Sequence, residues 1–470
     1  MDRPKNTAIF IADLGYGDAG KGSIVDYLTR TTKAQTVVRY NGGAQAAHNV
    51  VTPEGRHHTF AQFGSGTFIP GTRTHLSRFM MVHPLAMLVE ERHLRALGVL
   101  DAFARVSIDR EALVTTPFQQ SANRLKEIAR GDGRHGSCGM GIGETMSDWL
   151  TYGLQVVFAG DLSDRKMIVK KLHFLRDAKI AQLDGLLGEL SNIKPAQEDL
   201  KVLYDPEIIE RTADLYQYFS EMISVVEPDY LGEILKRPGT TIFEGAQGVL
   251  LDEWYGFYPY NTWSTLTFKN ADMLLDENAF DGEIVRLGLL RAYGTRHGAG
   301  PFVTEDELLT ARVQDAHNEI NYWQREFRVG YLDFVALRYA LAVTGRLDGL
   351  VITNLDRLDG IPQWRTCDLY QYAGDKANLA DKFDFRDQFV SSIKVPADPT
   401  NLSDHEERTR LLGKMKPIYA DCPTRDKNDY IELIRQALNV PIAITSAGAT
   451  ALEKSSCFAM NNVNYLDVVR

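Results

Sequence analysis

TAIFIADLGYGDAGKGS, residues 7–23, is the stretch of sequence that decides the fold. Its first part, 7–12, is apolar on both faces, which is typical of a strand buried inside a parallel sheet. A glycine-rich turn with Lys21 follows, and the amphipathic run 24–28 predicts a helix start. A strand, a glycine turn and a helix in this order point backbone N–H groups at an anion. Residues 15–23 are therefore a candidate phosphate-binding loop.

This loop differs from the two common phosphate-binding motifs. Gly22 follows the lysine where a P-loop has Ser or Thr, and the glycine spacing departs from the dinucleotide fingerprint. A glycine-rich turn without a ligand is thus an alternative. Asp18 favours a ligand, because a carboxylate beside a phosphate is repelled unless it holds a metal ion or takes a proton. We expect Asp18 to be a Mg²⁺ ligand or a general base, with a helix N-cap as the alternative role.

Other strand-like runs alternate with helical patterns along the chain, and together they predict an α/β fold with a large, mainly parallel central sheet flanked by helices. A charged, periodic segment predicts a helical subdomain, residues 163–239, within a single domain, residues 1–470. The stretch 375–414 predicts irregular surface structure with a helix near its end. The predicted strands are 7–12, 36–40, 78–82, 241–243, 284–290, 350–353 and 441–445.

Composition excludes several classes of protein. The 470 residues are 44% hydrophobic and 24% charged, with a net charge of −10 and no dense basic block, so no nucleic-acid partner is expected. The apolar run 8–12 is too short for a signal peptide or a membrane span, so residue 1 is expected to be the mature start. The dispersed cysteines predict neither disulfides nor a zinc site and favour a reducing cytoplasm: Cys138, Cys367, Cys422 and Cys457.

A second loop of small residues, 41–49, follows the strand 36–40 and ends near His48. A histidine after a strand is more often a hydrogen-bonded structural residue than a ligand. Beside the first loop, however, His48 becomes a candidate functional residue.

Together, GDAGKGS (17–23) and VVRYNGGAQAAHNV (37–50) resemble the GDEGKGK and VVRYQGGHNAGHT signatures of the adenylosuccinate synthetase family. Further matches follow in the family's order: FEGAQGVLLD (243–252) resembles FEGAQGxLLD, YPYNT (258–262) resembles YPYVT, RAYGTRHGAGPF (291–302) resembles KAYSTRVGAGPF, TNLD (353–356) resembles TKLD, and SAG (446–448) resembles STG. Because these ordered motifs span nearly the whole chain, it is identified as a divergent member of the family, with the family's P-loop-related fold.

The resemblance implies a reaction and its residues. In the family, an Asp removes the N1 proton of a 6-oxopurine nucleotide, the 6-oxyanion attacks the γ-phosphate of GTP, and an amine displaces the phosphate from C6. The resemblance implies catalytic roles for Asp18, Lys21, His48 and Gln247, and Mg²⁺ binding by the Asp18 carboxylate and the Ala47 carbonyl. It implies GTP binding by Gly17, Gly20, Lys21, Gly22, Asn354, Asp356, Ser446 and Gly448. It implies substrate binding by Gln45, Cys138, Gln247, Thr262 and Arg325.

The departures from the family pattern concentrate on the substrate side. In GSCGMGIG (136–143), Cys138 and Met140 replace a phosphate-binding Thr and an Arg of GTTGRGIG. Thr151 and Tyr152 stand roughly where the family has an Arg-Arg pair that reaches the partner subunit's substrate. YWQREFRVGYLD (322–333) replaces the amine-donor loop TTGRRRRTGWLD and keeps Arg325 and Arg328, unless the loop aligns with a shift of some residues.

We therefore expect a cytoplasmic, Mg²⁺-dependent ligase that forms a C–N bond on IMP or a relative, with GTP as phosphate donor and aspartate as the default amine. A specialised paralogue for a modified purine or another amine is one alternative. A GTP-binding sensor without ligase activity is another. By analogy with the family, we expect a homodimer that binds small molecules and neither nucleic acid nor membrane.

Overall fold

The computed structural model describes residues 6–313, 322–323, 326–374 and 379–457. Its strands are β1 (Thr7–Asp13), β2 (Thr36–Arg39), β3 (His48–Val51), β4 (His57–Phe60), β5 (Arg73–Leu76), β6 (Met81–Val82), β7 (Val106–Asp109), β8 (Leu113–Val114), β9 (Ser224–Val226), β10 (Thr240–Gly248), β11 (Glu283–Arg291), β12 (Gly294–His297), β13 (Phe327–Gly330), β14 (Leu332–Asp333), β15 (Gly349–Thr353), β16 (Arg365–Tyr372), β17 (Phe383–Arg386), β18 (Phe389–Ile393), β19 (Met415–Asp421), β20 (Ile442–Ser446) and β21 (Lys454–Ser456).

The α-helices connect these strands and cover the sheets. They are α1 (Lys21–Thr32), α2 (Pro84–Ala96), α3 (Pro117–Arg130), α4 (Ile142–Tyr152), α5 (Arg165–Leu190), α6 (Gln197–Tyr204), α7 (Glu207–Met222), α8 (Tyr230–Leu235), α9 (Lys269–Glu277), α10 (Glu307–Arg312), α11 (Phe334–Thr344), α12 (Leu402–Leu412) and α13 (Lys427–Leu438). No helix in the described ranges combines the length and the apolar character needed to cross a membrane.

A ten-stranded sheet is the centre of the described structure, in the order β21-β20-β15-β11-β1-β10-β2-β5-β7-β9. All neighbouring strands are parallel except β20 and β21. Along β1, Phe10 packs into one hydrophobic core, and Ile9 and Ile11 pack into another. Both faces of the central strand are therefore buried, as its apolar sequence predicts. The predicted α/β class with a large, mainly parallel sheet is confirmed.

Two predicted segments differ from the structure. Of residues 78–82, only Met81–Val82 is a strand, and it pairs with β8 outside the main sheet. The main-sheet strand in this region is Arg73–Leu76, where His75 is buried and its Nδ1 lies 3.0 Å from Ser107 Oγ. Because His75 and Ser107 form a polar pair inside the sheet, residues 73–76 lack the apolar pattern from which a buried strand is predicted.

The second difference lies within 375–414. Here β17 and β18 form a hairpin where irregular structure was expected, although α12 lies near the end as predicted.

Residues 163–239 contain the long helix α5, followed by α6 and α7. Both α5 and α6 pack against α3, and α5 also packs against α7. The same segment supplies β9, the edge strand of the main sheet. Treating 163–239 as a separate helical subdomain remains a prediction.

The parallel sheet explains why distant motifs meet. The loops that leave β1, β2, β10, β11, β15 and β20 all emerge at the carboxyl edge of neighbouring strands. In open α/β sheets, ligands bind in the crevice at this edge. Most of the quoted sequence motifs lie in or beside these loops, whereas GSCGMGIG (136–143) runs from the segment after α3 into the start of α4.

Candidate active site

A cavity of about 700 Å³ lies at the carboxyl edge of the sheet. Every predicted site residue that the structure describes lines it: Gly17, Asp18, Gly20, Lys21, Gly22, Gln45, Ala47, His48, Cys138, Gln247, Thr262, Asn354, Asp356, Ser446 and Gly448. Arg325 lies outside the described residues. Residues from across the whole chain thus share one cavity, which is large enough for a nucleotide-sized ligand.

The first loop is folded around Asp13, the last residue of β1. Oδ1 of Asp13 accepts the Gly15 N–H at 2.8 Å, and Oδ2 accepts the Ala19 N–H at 2.9 Å. Oδ2 also lies 2.9 Å from Nζ of Lys21, and both side chains are buried. Although burial acts to raise the pKa of Asp13, Lys21 and the backbone N–H groups hold it below the usual value. Asp13 is not among the residues predicted from the sequence, although an acidic residue that ends a buried strand directly before a glycine loop is a signal for it.

Asp18 adopts a left-handed conformation, with φ of 61°. Helix α1 begins at Lys21 with Gly20 as its N-cap residue, and its cap uses no side chain. Asp18 therefore does not cap the helix, and its side chain is available in the cavity. The Asp18 main-chain carbonyl accepts a hydrogen bond from Nε of Arg291.

At Gly22 the first loop packs closely against the second. A Cβ at position 22 would lie 2.8 Å from the Asn49 carbonyl oxygen and 2.9 Å from the His48 carbonyl carbon. Both atoms belong to the backbone, so any side chain here would push the two loops apart. This packing explains why glycine follows Lys21, where a P-loop has Ser or Thr.

His48, the first residue of β3, is buried and bound at both ring nitrogens. Nδ1 lies 2.5 Å from Oε1 of Glu244, and Nε2 lies 2.8 Å from the Ala246 carbonyl oxygen. Burial lowers the pKa of His48, and the adjacent Glu244 carboxylate offsets part of this effect. Ser65 also binds Glu244, through its backbone N–H at 2.9 Å and its hydroxyl at 2.5 Å. Glu244 is not among the residues predicted from the sequence, although it is part of the quoted 243–252 motif.

The far end of the cavity is formed by the loops after β15 and β20. Asn354 has a left-handed φ of 57° and precedes the 3₁₀ segment Leu355–Gly360, which presents Asp356. Oδ2 of Asp356 lies 3.4 Å from Nε of Arg357, with the Asp356 side chain 38% exposed. Ser446 donates its hydroxyl hydrogen to the Gly448 carbonyl at 3.2 Å. The Asp356 carboxylate is thus accessible to a ligand.

Gln45 and Cys138, which depart from the family pattern, line the cavity. Nε2 of Gln45 lies 3.4 Å from Oε1 of Gln247, and burial raises the pKa of the Cys138 thiol. Met140 packs against the hydrophobic core, and Tyr152 packs edge-on against Phe174. Met140 and Tyr152, which stand where the family has arginines, therefore have apolar contacts.

Mg²⁺ takes oxygen ligands and commonly retains waters and substrate phosphate oxygens. Asp18 supplies a carboxylate in the cavity and Ala47 a main-chain carbonyl. Ala47 does not have a positive φ, so alanine replaces the family's glycine here without backbone strain. Among the described residues, no group of three His, Cys, Asp or Glu side chains is placed to hold a metal. This donor set fits Mg²⁺ if substrate oxygens and water complete its coordination.

Comparison with known proteins agrees with the motifs and the geometry. The model of the adenylosuccinate synthetase family matches residues 10–454. The adenylosuccinate synthetase of Chlorobium phaeobacteroides is 30% identical, with 95% of this chain and 97% of the relative covered. That of Chlorobium chlorochromatii is 32% identical, with 95% and 96% covered.

Solved structures show the same fold. The fully ligated adenylosuccinate synthetase of Plasmodium falciparum superposes with a TM-score of 0.73 at 18% identity, over 96% of this chain and 99% of the other. The succinoaminodeoxyadenylate synthetase of cyanophage S-2L, bound to dGMP and to dATP as an energy donor, gives a TM-score of 0.58 at 15% identity, over 97% and 96%. With a family model that covers most of its length, this chain belongs to the adenylosuccinate synthetase family, whose members are ligases that form C–N bonds.

Proposed function

We propose that this protein is a GTP-dependent ligase that phosphorylates the 6-oxygen of IMP or a related purine nucleotide and replaces it with an amine, aspartate by default. The products are adenylosuccinate or an analogue, GDP and phosphate. The observation that carries the proposal is that Asp18, Lys21, His48, Gln247 and Asp356 all line one cavity.

Asp18 is the proposed base. Its carboxylate takes the proton from N1 of the purine, and the electron pair moves through the ring to the 6-oxygen, which then attacks the γ-phosphorus of GTP. Arg291 holds the main chain of Asp18 through its carbonyl oxygen. An anchored backbone limits the positions open to the carboxylate, which favours a reactive geometry.

His48 and Lys21 are the proposed stabilisers of negative charge. The Glu244 carboxylate fixes the orientation of the His48 ring. Lys21 Nζ is held by Asp13 while it lines the cavity. Positively charged or N–H donor groups that are fixed before the reaction stabilise charge developing on the transferred phosphoryl group.

Asp356 is the residue proposed to recognise the guanine base, because a carboxylate accepts two hydrogen bonds from the N1 and N2 donors of guanine. Asp18 and the Ala47 carbonyl would hold Mg²⁺ together with phosphate oxygens, and the bound ion would offset the charge of the phosphates.

A specialised paralogue is the second candidate, and Arg328 favours it. The Arg328 guanidinium donates to the Glu305 carboxylate at 2.6 Å and to the carbonyls of Gly298 and Gly300 at 2.6 and 3.0 Å. These bonds occupy Arg328, one of the two arginines kept in the predicted amine-donor loop. The cyanophage protein, with dGMP and dATP, illustrates a related fold that uses other nucleotides.

The test is phosphate release from GTP with Mg²⁺, IMP and a panel of amines that includes aspartate, with purine products identified by mass. Adenylosuccinate as product supports the proposal. Product formed only with another purine or amine supports the paralogue. GTP binding without phosphate release under every mixture supports a sensor. Asp18→Asn is the matched control: it should abolish release and retain GTP binding, and wild-type turnover in this variant would remove Asp18 from the mechanism.

We also propose that the protein is a cytoplasmic homodimer. A broad apolar groove of about 1420 Å³ adjoins the cavity, and both are lined by Thr262 and Trp263. Apolar side chains in the groove are unusually exposed, including Trp149 at 41%, Leu150 at 64% and Leu154 at 82%. A large exposed apolar surface of this kind marks an interaction site, and a second copy of the chain is the proposed occupant.

A further inference from the structure

His297 lies in the cavity at the end of β12, outside the residues assigned so far. It pairs with Phe327 of β13 in the antiparallel register, and the two rings pack with centroids 4.8 Å apart. The strand and the aromatic contact hold the imidazole at a defined position. Its side chain is 17% exposed.

The imidazole faces the proposed base. Nε2 of His297 lies 3.4 Å from Oδ2 of Asp18, whose side chain is 22% exposed. The Asp18 backbone is fixed separately, by its left-handed φ and by the bond from Arg291 to its carbonyl. Arg291 in turn packs its guanidinium 5.7 Å from the centre of the Phe327 ring. The Phe327 ring therefore contacts both His297 and Arg291, the two residues next to Asp18.

The family signature quoted above has valine where this chain has His297. Valine offers no hydrogen-bond donor, whereas a neutral imidazole can donate one N–H. A long contact between catalytic groups in a ligand-free site commonly shortens in the substrate complex.

We propose that His297 is a positioning residue for Asp18, on the basis of the function proposed above. Its Nε2–H donates to Oδ2 of Asp18 and fixes the carboxylate plane, so that Oδ1 is directed at the N1 proton of the purine. The contribution is orientation of the base, and His297 itself takes no part in bond making.

The kinetic test compares His297→Val, His297→Gln and the wild type. His297→Val should lower kcat about tenfold or more and leave KM for GTP within about twofold, because a misoriented base slows the chemical step without weakening nucleotide binding. His297→Gln keeps an N–H donor and should recover much of the lost kcat. His173→Val, on the exposed face of α5, is the matched control and should behave as wild type.

Wild-type kcat in His297→Val overturns the inference, as does an equal loss in His297→Gln, which would indicate a packing role. A spectroscopic readout tests the contact without turnover. In protein labelled with ¹⁵N-histidine, the His297 Nε2 resonance, assigned by its loss in His297→Gln, should shift in Asp18→Asn. If the His297 Nε2 resonance does not shift in Asp18→Asn, the inference about His297 is wrong and the proposed function still stands. If the wild type turns over no acceptor, the proposed function is wrong.

Discussion

Nδ1 of His48 lies 2.5 Å from Oε1 of Glu244, although 196 positions separate the two residues in the chain. The contact joins the second loop to the strand β10. The other ring nitrogen faces the Ala246 carbonyl, so Glu244 and Ala246 together set the orientation of the His48 ring.

The first prediction concerns this contact. Glu244→Gln should lower kcat by about one to two orders of magnitude with little change in KM for GTP, because the imidazole loses the anion that orients it. Steady-state phosphate release measures both constants. Glu90→Gln is a matched control, since Glu90 Oε1 lies 3.6 Å from His58 Nε2 and does not line the cavity. Equal losses in both variants would contradict a specific role for Glu244.

The second prediction concerns acid stability. Although burial acts to raise the pKa of Glu244, Arg39 and His48 lower it to about 2, from 4.5 for an ordinary Glu. A lowered pKa stabilises the fold above pH 4.5, and this contribution is lost as the pH falls towards 2. Glu244→Gln should therefore be less stable than wild type at pH 7, and the difference should shrink below pH 4.5.

Urea unfolding across this pH range measures the difference. Glu253→Gln is the control, because burial raises the pKa of Glu253. Its contribution has the opposite sign, so the control variant should gain stability relative to wild type as the pH rises above 4.5. A constant difference across the range for Glu244→Gln would contradict the assigned pKa.

The third prediction concerns the buried pair of Asp13 and Lys21. Asp13→Asn leaves the buried Lys21 ammonium without its counter-charge and should cost about 3–5 kcal/mol of unfolding free energy. Asp421→Asn removes the exposed partner of Arg365 and should cost less than about 1 kcal/mol. Urea unfolding of both variants measures the contrast, and similar costs would show that Asp13 is not a structural centre of the loop.

The fourth prediction concerns the choice of phosphate donor. Asp356→Ala should reduce the ratio of kcat/KM for GTP over ATP to near one, because the carboxylate that would accept the guanine donors is removed. Asp359→Ala, in the same 3₁₀ segment, changes a residue paired with Lys427 outside the cavity and should keep the preference. A GTP preference that survives in Asp356→Ala would place guanine recognition elsewhere.

The fifth prediction concerns the apolar groove. The double variant Leu150→Asp and Leu154→Asp should shift the protein from dimer to monomer, because charges are costly in a buried apolar interface. Light scattering coupled to gel filtration measures the mass. Leu100→Asp, at a site 67% exposed and outside the groove, should remain dimeric. A monomeric wild type would contradict the proposed dimer.

The sequence by itself determined the α/β class and the order of the motifs, because continuous apolar runs and glycine turns are local signals. It also named residues from across the chain that share one cavity, since most of them follow strands of the parallel sheet and parallel strands end at one edge.

Only the tertiary structure decided which side chains meet. The pairs His48 and Glu244, and Asp18 and His297, depend on strand order and register, which no single segment encodes. The same holds for the polar strand Arg73–Leu76, where Nδ1 of the buried His75 is hydrogen-bonded to Ser107 of the adjacent strand β7. The cost of burying these polar groups is offset by hydrogen bonds between residues that are distant in the chain. A local sequence pattern cannot reveal such bonds, because it does not contain both partners.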